Sequence, residues 1–343
     1  MLELASAAAA LALSCAILTW SWPLGDWLGV IDHPDNGRKI HARATPLVGG
    51  IAITVPVLLW SVVSIYWPDL TGGTPVPLAV LICGAGAALI GFIDDRSTVS
   101  PLLRLLILMA LTVAALAISP QLLPARFHWS LIGSTPVAPW LAYVLVAIGT
   151  TGFVNAVNMA DGHDGCVAGM FAIWSACIVW VGSGAADDVA FVLLVTSLAV
   201  LAFNLRGKVF LGGTGTYGTT FVFGLLVLYL HNSWGIAAET VMVWFFLPVV
   251  DCLRLLIQRP MQGHSPFKAD RNHFHHRLHD RFGKLAGLAI YLGLVATTSF
   301  AVAFDADLAP ACLGALAFAY LGLMILTASG ARAAAPIKIA PRD

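Results

Sequence analysis

The chain has 343 residues, 59% of them hydrophobic and only 10% charged, with a mean hydropathy of +0.87. A soluble domain carries charge on about a quarter of its residues, so this composition excludes a water-soluble globular protein and points to an integral membrane protein. The formal net charge of zero says little about partners, because the few charges are unevenly placed.

Apolar runs of about 20 residues, the length a helix needs to cross the hydrocarbon core, recur along the chain. Eleven are expected, at about 3–22, 47–67, 76–93, 102–119, 138–157, 166–182, 188–204, 216–231, 236–257, 285–304 and 308–328. Pro56, Gly84, Gly86 and Pro248 interrupt some of them, which membrane helices tolerate because neighbours satisfy the freed backbone groups. Met1-Leu2-Glu3-Leu4 lacks the basic segment of a cleaved leader, so the first run reads as a retained span. The expected fold is an all-α polytopic bundle, one integral membrane domain over 1–343, with polar loops near 32–46, 94–101, 158–165, 204–216 and 258–284. The six cysteines are scattered in apolar surroundings with no C-x-x-C spacing and read as small buried hydrophobes.

Lys and Arg concentrate in cytoplasmic loops. With eleven spans, 17 of the 18 basic residues fall on one side and only Arg126 on the other. The N-terminus is therefore expected outside, the C-terminus in the cytoplasm, and the polar loops on the cytoplasmic face of the membrane.

Four features on that face could carry chemistry. Asp94 and Asp95 stand where an apolar run leaves the membrane; adjacent helical positions point about 100° apart, so the pair could serve a cation and a second ligand. Asn155-Ala-Val-Asn158-Met-Ala-Asp161-Gly-His163-Asp164-Gly165 repeats polar groups at three-residue intervals; a helix would place Asp161 and Asp164 on one face. His163, between these two acids, could be a ligand, a proton carrier or an exposed loop residue. Asn204 to Gly218 combines Arg206 and Lys208 with glycines whose amides could approach a phosphate, although no Walker sequence closes it; a plain inter-helix turn is the alternative. His264, His273, His275 and His276 sit among Lys268, Arg271 and Arg277, a set better suited to an anion such as a pyrophosphate or nucleotide than to zinc; a non-specific attraction to anionic lipid headgroups is the alternative. Together they suit phosphoryl transfer between a soluble phosphorylated donor and a lipid-borne acceptor.

The ordered motifs D-H-P-D-N-G-R-K-I-H-A-R-A-T-P-L-V-G-G-I, G-F-I-D-D-R, N-A-V-N-M-A-D-G-H-D-G, L-P-V-V-D-x-x-R and S-P-F-K-A-D-R-N-H-F-H-H-R-L, from about Asp32 to Leu278, resemble the polyprenyl-phosphate N-acetylhexosamine-1-phosphate transferase family. The eleven spans and H-x-H-H resemble its WecA/TagO-like branch more than the MraY branch. The resemblance implies attack by undecaprenyl phosphate on the β-phosphorus of a UDP-N-acetylhexosamine such as UDP-GlcNAc, giving a lipid pyrophosphate sugar and UMP with Mg2+ or Mn2+, at the start of cell-surface glycan synthesis. It implies catalytic and metal-holding roles for Asp94, Asp95, Asp161 and Asp164. Asn158, Arg43, His273, His275 and His276 take substrate-binding roles, joined on the residue reading above by Arg206, Lys208 and Arg271. Partners expected are the two substrates, membrane lipids and a second copy in a homo-oligomer, with no nucleic acid. One departure stands out: the family reads M-G-D-x-G-S where this chain reads Leu211-Gly212-Gly213-Thr214-Gly215-Thr216, so Gly213 replaces a metal-ligand carboxylate. Restoring Asp at 213 is then expected to raise activity or metal affinity. A catalytically impaired homologue that binds UDP-sugar or lipid phosphate, and a transporter built on buried acids and broken helices, are the alternatives.

Overall fold

The structure, a computed structural model, describes residues 2–34, 43–70, 75–182, 185–267 and 270–330. Arg38, Lys39, Lys268, Arg332, Lys338 and Arg342 lie outside the described residues. The elements, in order, are α1 (Leu2–Thr19), α2 (Ser21–Leu28), β1 (Ile31–Asp32), β2 (Thr45–Pro46), α3 (Gly49–Tyr66), α4 (Leu78–Arg96), α5 (Pro101–Ile118), β3 (Arg126–Trp129), β4 (Gly133–Pro136), α6 (Pro139–Ala160), α7 (Cys166–Val181), α8 (Ala185–Asn204), α9 (Gly212–Trp234), α10 (Ala238–Met261), α11 (Phe274–Phe282), α12 (Lys284–Phe304) and α13 (Ala309–Gly330). Apart from two antiparallel two-stranded ribbons, β1–β2 and β3–β4, the molecule is an all-α polytopic membrane protein.

Among the described residues, nine helices are long and apolar enough to cross a bilayer, or ten if α1 and α2 form one broken span. The first expected run does not stay straight: α1 and α2 meet at 72°. Pro23 has no N–H to donate to the Thr19 carbonyl, so the ladder breaks there. α7, with 16 residues, is apolar but shorter than a full crossing.

α9 is the axis of the bundle. It is almost wholly buried, and α3, α4 and α6 pack around it. Small residues let the backbones approach, as at helix contacts within membranes. A methyl on Gly91 of α4 would lie 2.1 Å from the Gly213 carbonyl oxygen, and one on Gly50 of α3 would lie 2.1 Å from the Gly215 nitrogen. Deeper in the bundle, Phe153, Phe171, Trp174, Phe223 and Phe245 form a contiguous aromatic cluster. The Trp174 indole N–H there donates to the Trp244 carbonyl at 2.8 Å.

The glycine-rich stretch expected to loop around a phosphate is helical from Gly212 onward. Its glycines are packing surface for α3 and α4 instead of free amides. The preceding strand-like segment is stitched to the start of α3: the Phe210 N–H donates to Pro46 (3.0 Å), while Gly49 and Gly50 donate to Phe210 and Leu211 (2.9 and 3.0 Å). All six cysteines are free, four of them buried.

Candidate active site

The C-terminal ends of α4, α6, α8 and α10 and the N-terminal ends of α5, α9 and α12 are joined by hydrogen bonds into one polar end of the bundle. Most of the residues expected to act are here, but their states differ.

Asp94 is occupied. Its Oδ2 accepts from Arg104 Nη1 at 2.5 Å and from the Tyr217 hydroxyl at 3.2 Å, and its Oδ1 accepts from the Val99 N–H at 3.0 Å. Arg104 also donates to the Tyr217 hydroxyl at 2.8 Å. Asp95 caps α9 from the neighbouring helix: Gly213 N–H donates to Oδ1 (2.6 Å), and the Thr214 N–H and hydroxyl donate to Oδ2 (3.0 and 3.1 Å). These amides are the donors a helix start leaves unpaired, and a carboxylate there also meets the positive end of the helix dipole.

Asp161 is different. α6 ends at Ala160 and Asp161 caps it in a non-helical conformation, so Asp161 and Asp164 are not on one helical face as the spacing suggested. Its carboxylate makes no hydrogen bond or ion pair among the described residues. Burial, and then the charges of Asp95 and Asp164, push its pKa up to about 7. Asp164 is held by Lys284 Nζ at 2.6 Å, at the first turn of α12. Asn158 accepts from the Thr216 hydroxyl through Oδ1 at 3.0 Å, tying α6 to α9.

The turn between Asp161 and Asp164 lies against the histidine helix. A methyl on Gly162 would meet His275 Nε2 at 2.7 Å and His276 Nε2 at 2.9 Å, so any side chain there would displace both imidazoles. The turn closes at Gly165, whose φ of +86° suits a residue without a Cβ and whose N–H donates to Asn204 Oδ1 at 2.5 Å. His275 Nε2, His276 Nδ1 and His163 Nε2 are buried with no hydrogen-bond partner. Burial, then the other histidines of the loop, push His275 well below the usual histidine range. Burial and then Arg271 push His276 down to about 4. Both are neutral at pH 7, each with one N–H to donate.

His273 is held from behind. Asp251 of α10 accepts at Oδ2 from His273 Nδ1 (2.9 Å) and the Phe274 N–H (3.1 Å), and at Oδ1 from Arg254 Nη2 (2.8 Å) and the Tyr320 hydroxyl (3.0 Å). Arg259 Nη2 faces His273 Nε2 at 3.4 Å and can only donate, so the proton of neutral His273 sits on Nδ1. Arg259 also braces the loop through Asp270 (3.0 Å) and the Pro266 carbonyl (2.7 Å).

Other expected residues are not drawn into this network. Arg206 is exposed and donates to the Ala202 carbonyl of its own helix. Lys208 lies over the Phe203 ring at 5.7 Å. Arg271 pairs with Asp280 at 3.3 Å, and Arg43 is exposed. The residue reading assigned no role to Arg104, Tyr217, Asp251, Arg259 or Lys284. Asp251 had a signal, the L-P-V-V-D-x-x-R motif; Arg104 and Lys284 registered only as loop charges.

Among the described residues, no group of three or more His, Cys, Asp or Glu side chains could enclose a metal ion. The open Asp161 carboxylate with Asp95 and Asp164 nearby does fit the other kind of site, in which Mg2+ takes one or two carboxylates and completes its shell with water and substrate phosphate. Gly213 offers no room for the carboxylate expected at its position. A Cβ there would lie 2.6 Å from the Gly91 carbonyl oxygen and 3.2 Å from Asp95 Oδ1, so the packing argues against the expectation that Asp at 213 improves the site.

A family model described as Glycosyl transferase family 4 matches residues 77–231, which include Asp94, Asp95, Asn158, Asp161 and Asp164. The undecaprenyl-phosphate alpha-N-acetylglucosaminyl 1-phosphate transferase of Salmonella typhi is 28% identical over 267 residues, 73% of this chain and 69% of the relative. The protein of the same name from Escherichia coli K12 is 28% identical over 265 residues, with the same coverage. A Bacillus subtilis strain 168 relative, also named as an undecaprenyl-phosphate N-acetylglucosaminyl 1-phosphate transferase, is 27% identical over 275 residues, 77% of this chain and 74% of its own. Over residues 77–231 the chain resembles glycosyl transferase family 4. These similarities support an enzyme of the phosphoglycosyl transferase class.

Proposed function

We propose that this transferase moves a sugar 1-phosphate from a UDP-N-acetylhexosamine, such as UDP-GlcNAc, to undecaprenyl phosphate. An oxygen of the lipid phosphate attacks the β-phosphorus of the nucleotide sugar. The bond from that phosphorus to the bridging oxygen breaks, UMP leaves, and a lipid pyrophosphate sugar remains. The observation that carries this reading is the juxtaposition of an unpaired carboxylate, Asp161, with the neutral His275–His276 pair across Gly162.

In this reading the unpartnered imidazole nitrogens of His275 and His276 hydrogen-bond the diphosphate, and the Nδ2 group of Asn158, left over by the Thr216 contact, serves the nucleotide. Asp161 would hold Mg2+, and the ion, when bound, would supply screening of the negative charge that separates the two reactants. Asp95 and Asp94 act by position: Asp95 fixes the start of α9 beside the turn, and Asp94 orders Arg104 and Tyr217. Asp251 keeps the histidine loop in place.

The reading also includes eleven crossings, α7 and the bent α1–α2 pair each counting as one, with the N-terminus outside and the site facing the cytoplasm of a bacterial inner membrane. The one-sided distribution of Lys and Arg supports it, and among the described residues the apolar helices support nine or ten of the crossings. The product would start a cell-surface glycan. Purified protein with undecaprenyl phosphate and Mg2+ should release UMP from at least one member of a panel of UDP-N-acetylhexosamines. No UMP from any donor, with nucleotide-sugar binding intact by calorimetry, would replace this reading with a binding homologue.

A further inference from the structure

On the flank of the bundle, α10 and α13 leave between them a groove of about 810 Å³. Its walls are apolar, with Ile257 and Met261 from α10 and Leu321 and Met324 from α13. Two guanidinium groups, from Arg254 and Arg277, also line it. α13 is the least covered of the candidate spans, so the groove opens toward lipid.

The two arginines are not equivalent. Arg254 is committed: besides Asp251 it donates to the Tyr320 hydroxyl (2.9 Å), Gln258 Oε1 (2.7 Å) and the Asn272 carbonyl (2.6 Å). Arg277 has no carboxylate partner among the described residues. Its Nε donates to the same Asn272 carbonyl at 3.3 Å, and neither Nη makes a hydrogen bond there. It is half-buried, and burial and then the neighbouring Arg254 push its guanidinium below its usual range. Charged side chains withdrawn from water are ordinarily paired. A half-buried cation beside a second cation, with two of three nitrogens unused, at an apolar groove, lacks an anion with an apolar tail.

We propose that the α10–α13 groove holds an anionic phospholipid of the surrounding bilayer, its phosphate on the Nη groups of Arg277 and an acyl chain between the two helices. Basic pockets between membrane helices take anionic headgroups in this way. The apolar walls would be idle around free phosphate. The proposed lipid is a resident and not a reactant: behind Arg254 lie the buried Asp251, to which it is bonded, and the buried Tyr320 and Phe274 rings, 4.9 Å apart. Through Arg254 and the shared Asn272 carbonyl, the occupant braces that loop from outside. The inference stands apart from the transfer reaction and does not require it.

The test is native mass spectrometry of the full-length protein released from nanodiscs of phosphatidylcholine and phosphatidylglycerol in equal parts. Phosphatidylglycerol should be retained in preference to phosphatidylcholine. Arg277→Gln should lower that retention about fivefold, the equivalent of about 1 kcal/mol for one basic residue at an anionic lipid. Arg277→Lys should keep most of it, and Met324→Trp, which fills the groove without changing charge, should also lower it. Equal retention of the two lipids by the unaltered protein, or unchanged retention in both the Gln and Trp variants, would overturn the proposal. Displacement of phosphatidylglycerol by an equimolar polyprenyl phosphate would overturn it in favour of the acceptor, and displacement by millimolar inorganic phosphate would reduce the site to a free-anion site.

Discussion

Gly213 offers the sharpest test, because family pattern and structure predict opposite outcomes for one substitution. Gly213→Asp supplies the carboxylate that the resemblance to M-G-D-x-G-S leads one to expect, which on ligand count alone should strengthen a metal site. The packing says otherwise. The new Cβ would stand 2.6 Å from the Gly91 carbonyl oxygen, a backbone atom that cannot swing aside, and 3.2 Å from Asp95 Oδ1. Opening a close-packed crossing costs about 1–3 kcal/mol. Weakening the Asp95 bonds to Gly213 and Thr214 adds about 1.5–3 kcal/mol for hydrogen bonds to a charged group. The helix propensity gained on leaving glycine returns no more than about 1 kcal/mol. The balance is a loss of about 1.5–5 kcal/mol. The variant should therefore unfold at lower temperature in a detergent melt and release UMP more slowly, while Gly213→Ala, which adds no charge, should be harmed less. A Gly213→Asp protein that melts at or above the unaltered one and turns over faster would refute the reasoning, showing that the α4–α9 crossing opens cheaply.

Three further outcomes follow from the same geometry. Asp161→Asn should cut UMP release at least about a hundredfold, as expected for a reacting-centre group, while stability rises. The native pKa of about 7 lies above the usual carboxylate value, so the native state binds this proton more tightly than the unfolded chain and stability from this group falls as pH rises from about 4 to about 7. The melting advantage of Asn should accordingly grow over that window and level off above it; an advantage confined to acid pH would contradict the burial of Asp161. Asp251→Ala strands Arg254 and frees His273, so about 3–5 kcal/mol of stability should go. Asp251→Asn, which keeps the shape, should raise the donor KM more than it lowers kcat, and an unchanged KM would remove Asp251 from loop positioning. Gly162→Ala drives a methyl against His275 and His276 and should lower activity at least tenfold with a melting temperature within a few degrees, measured side by side.

The membrane class and the sites at Asp94–Asp95, Asp161–Asp164 and the H-x-H-H loop could be read from the sequence, since hydropathy and carboxylates at the ends of apolar runs are local signals. What could not be read depends on contacts distant in the chain. Asp94 looks available until Tyr217 and Arg104 come to it, and Asp164 until Lys284 does. The glycines after Leu211 looked like a loop because glycine weakens helices in water. In a membrane interior the same residues permit helix contact, so α9 begins at Gly212. The i, i+3 spacing of Asp161 and Asp164 suggested a helical face, but α6 stops at Ala160 and the left-handed Gly165 turns the chain into α7.

Gly213 and Asp95 are two consequences of one crossing. α9 can lie this close to α4 only where both carry glycine, at Gly91 and Gly213. That closeness brings the first amides of α9 within reach of Asp95. A side chain at 213 and an Asp95 bonded to the helix start are therefore mutually exclusive in this bundle. Asp95 supplies negative charge near the turn without being freed from its amides, and Asp94 and Asp164 are neutralised by Arg104 and Lys284. The burden of an unpaired anion falls on Asp161, whose raised pKa marks the cost of keeping it there. A cation shared with substrate phosphate would relieve that cost only once substrate is bound, so divalent-metal affinity should be weak in the free protein and rise when a UDP-sugar is present. Isothermal titration of Mn2+ with and without the nucleotide sugar measures this directly, and equal affinity in the two cases would show that another group completes the site.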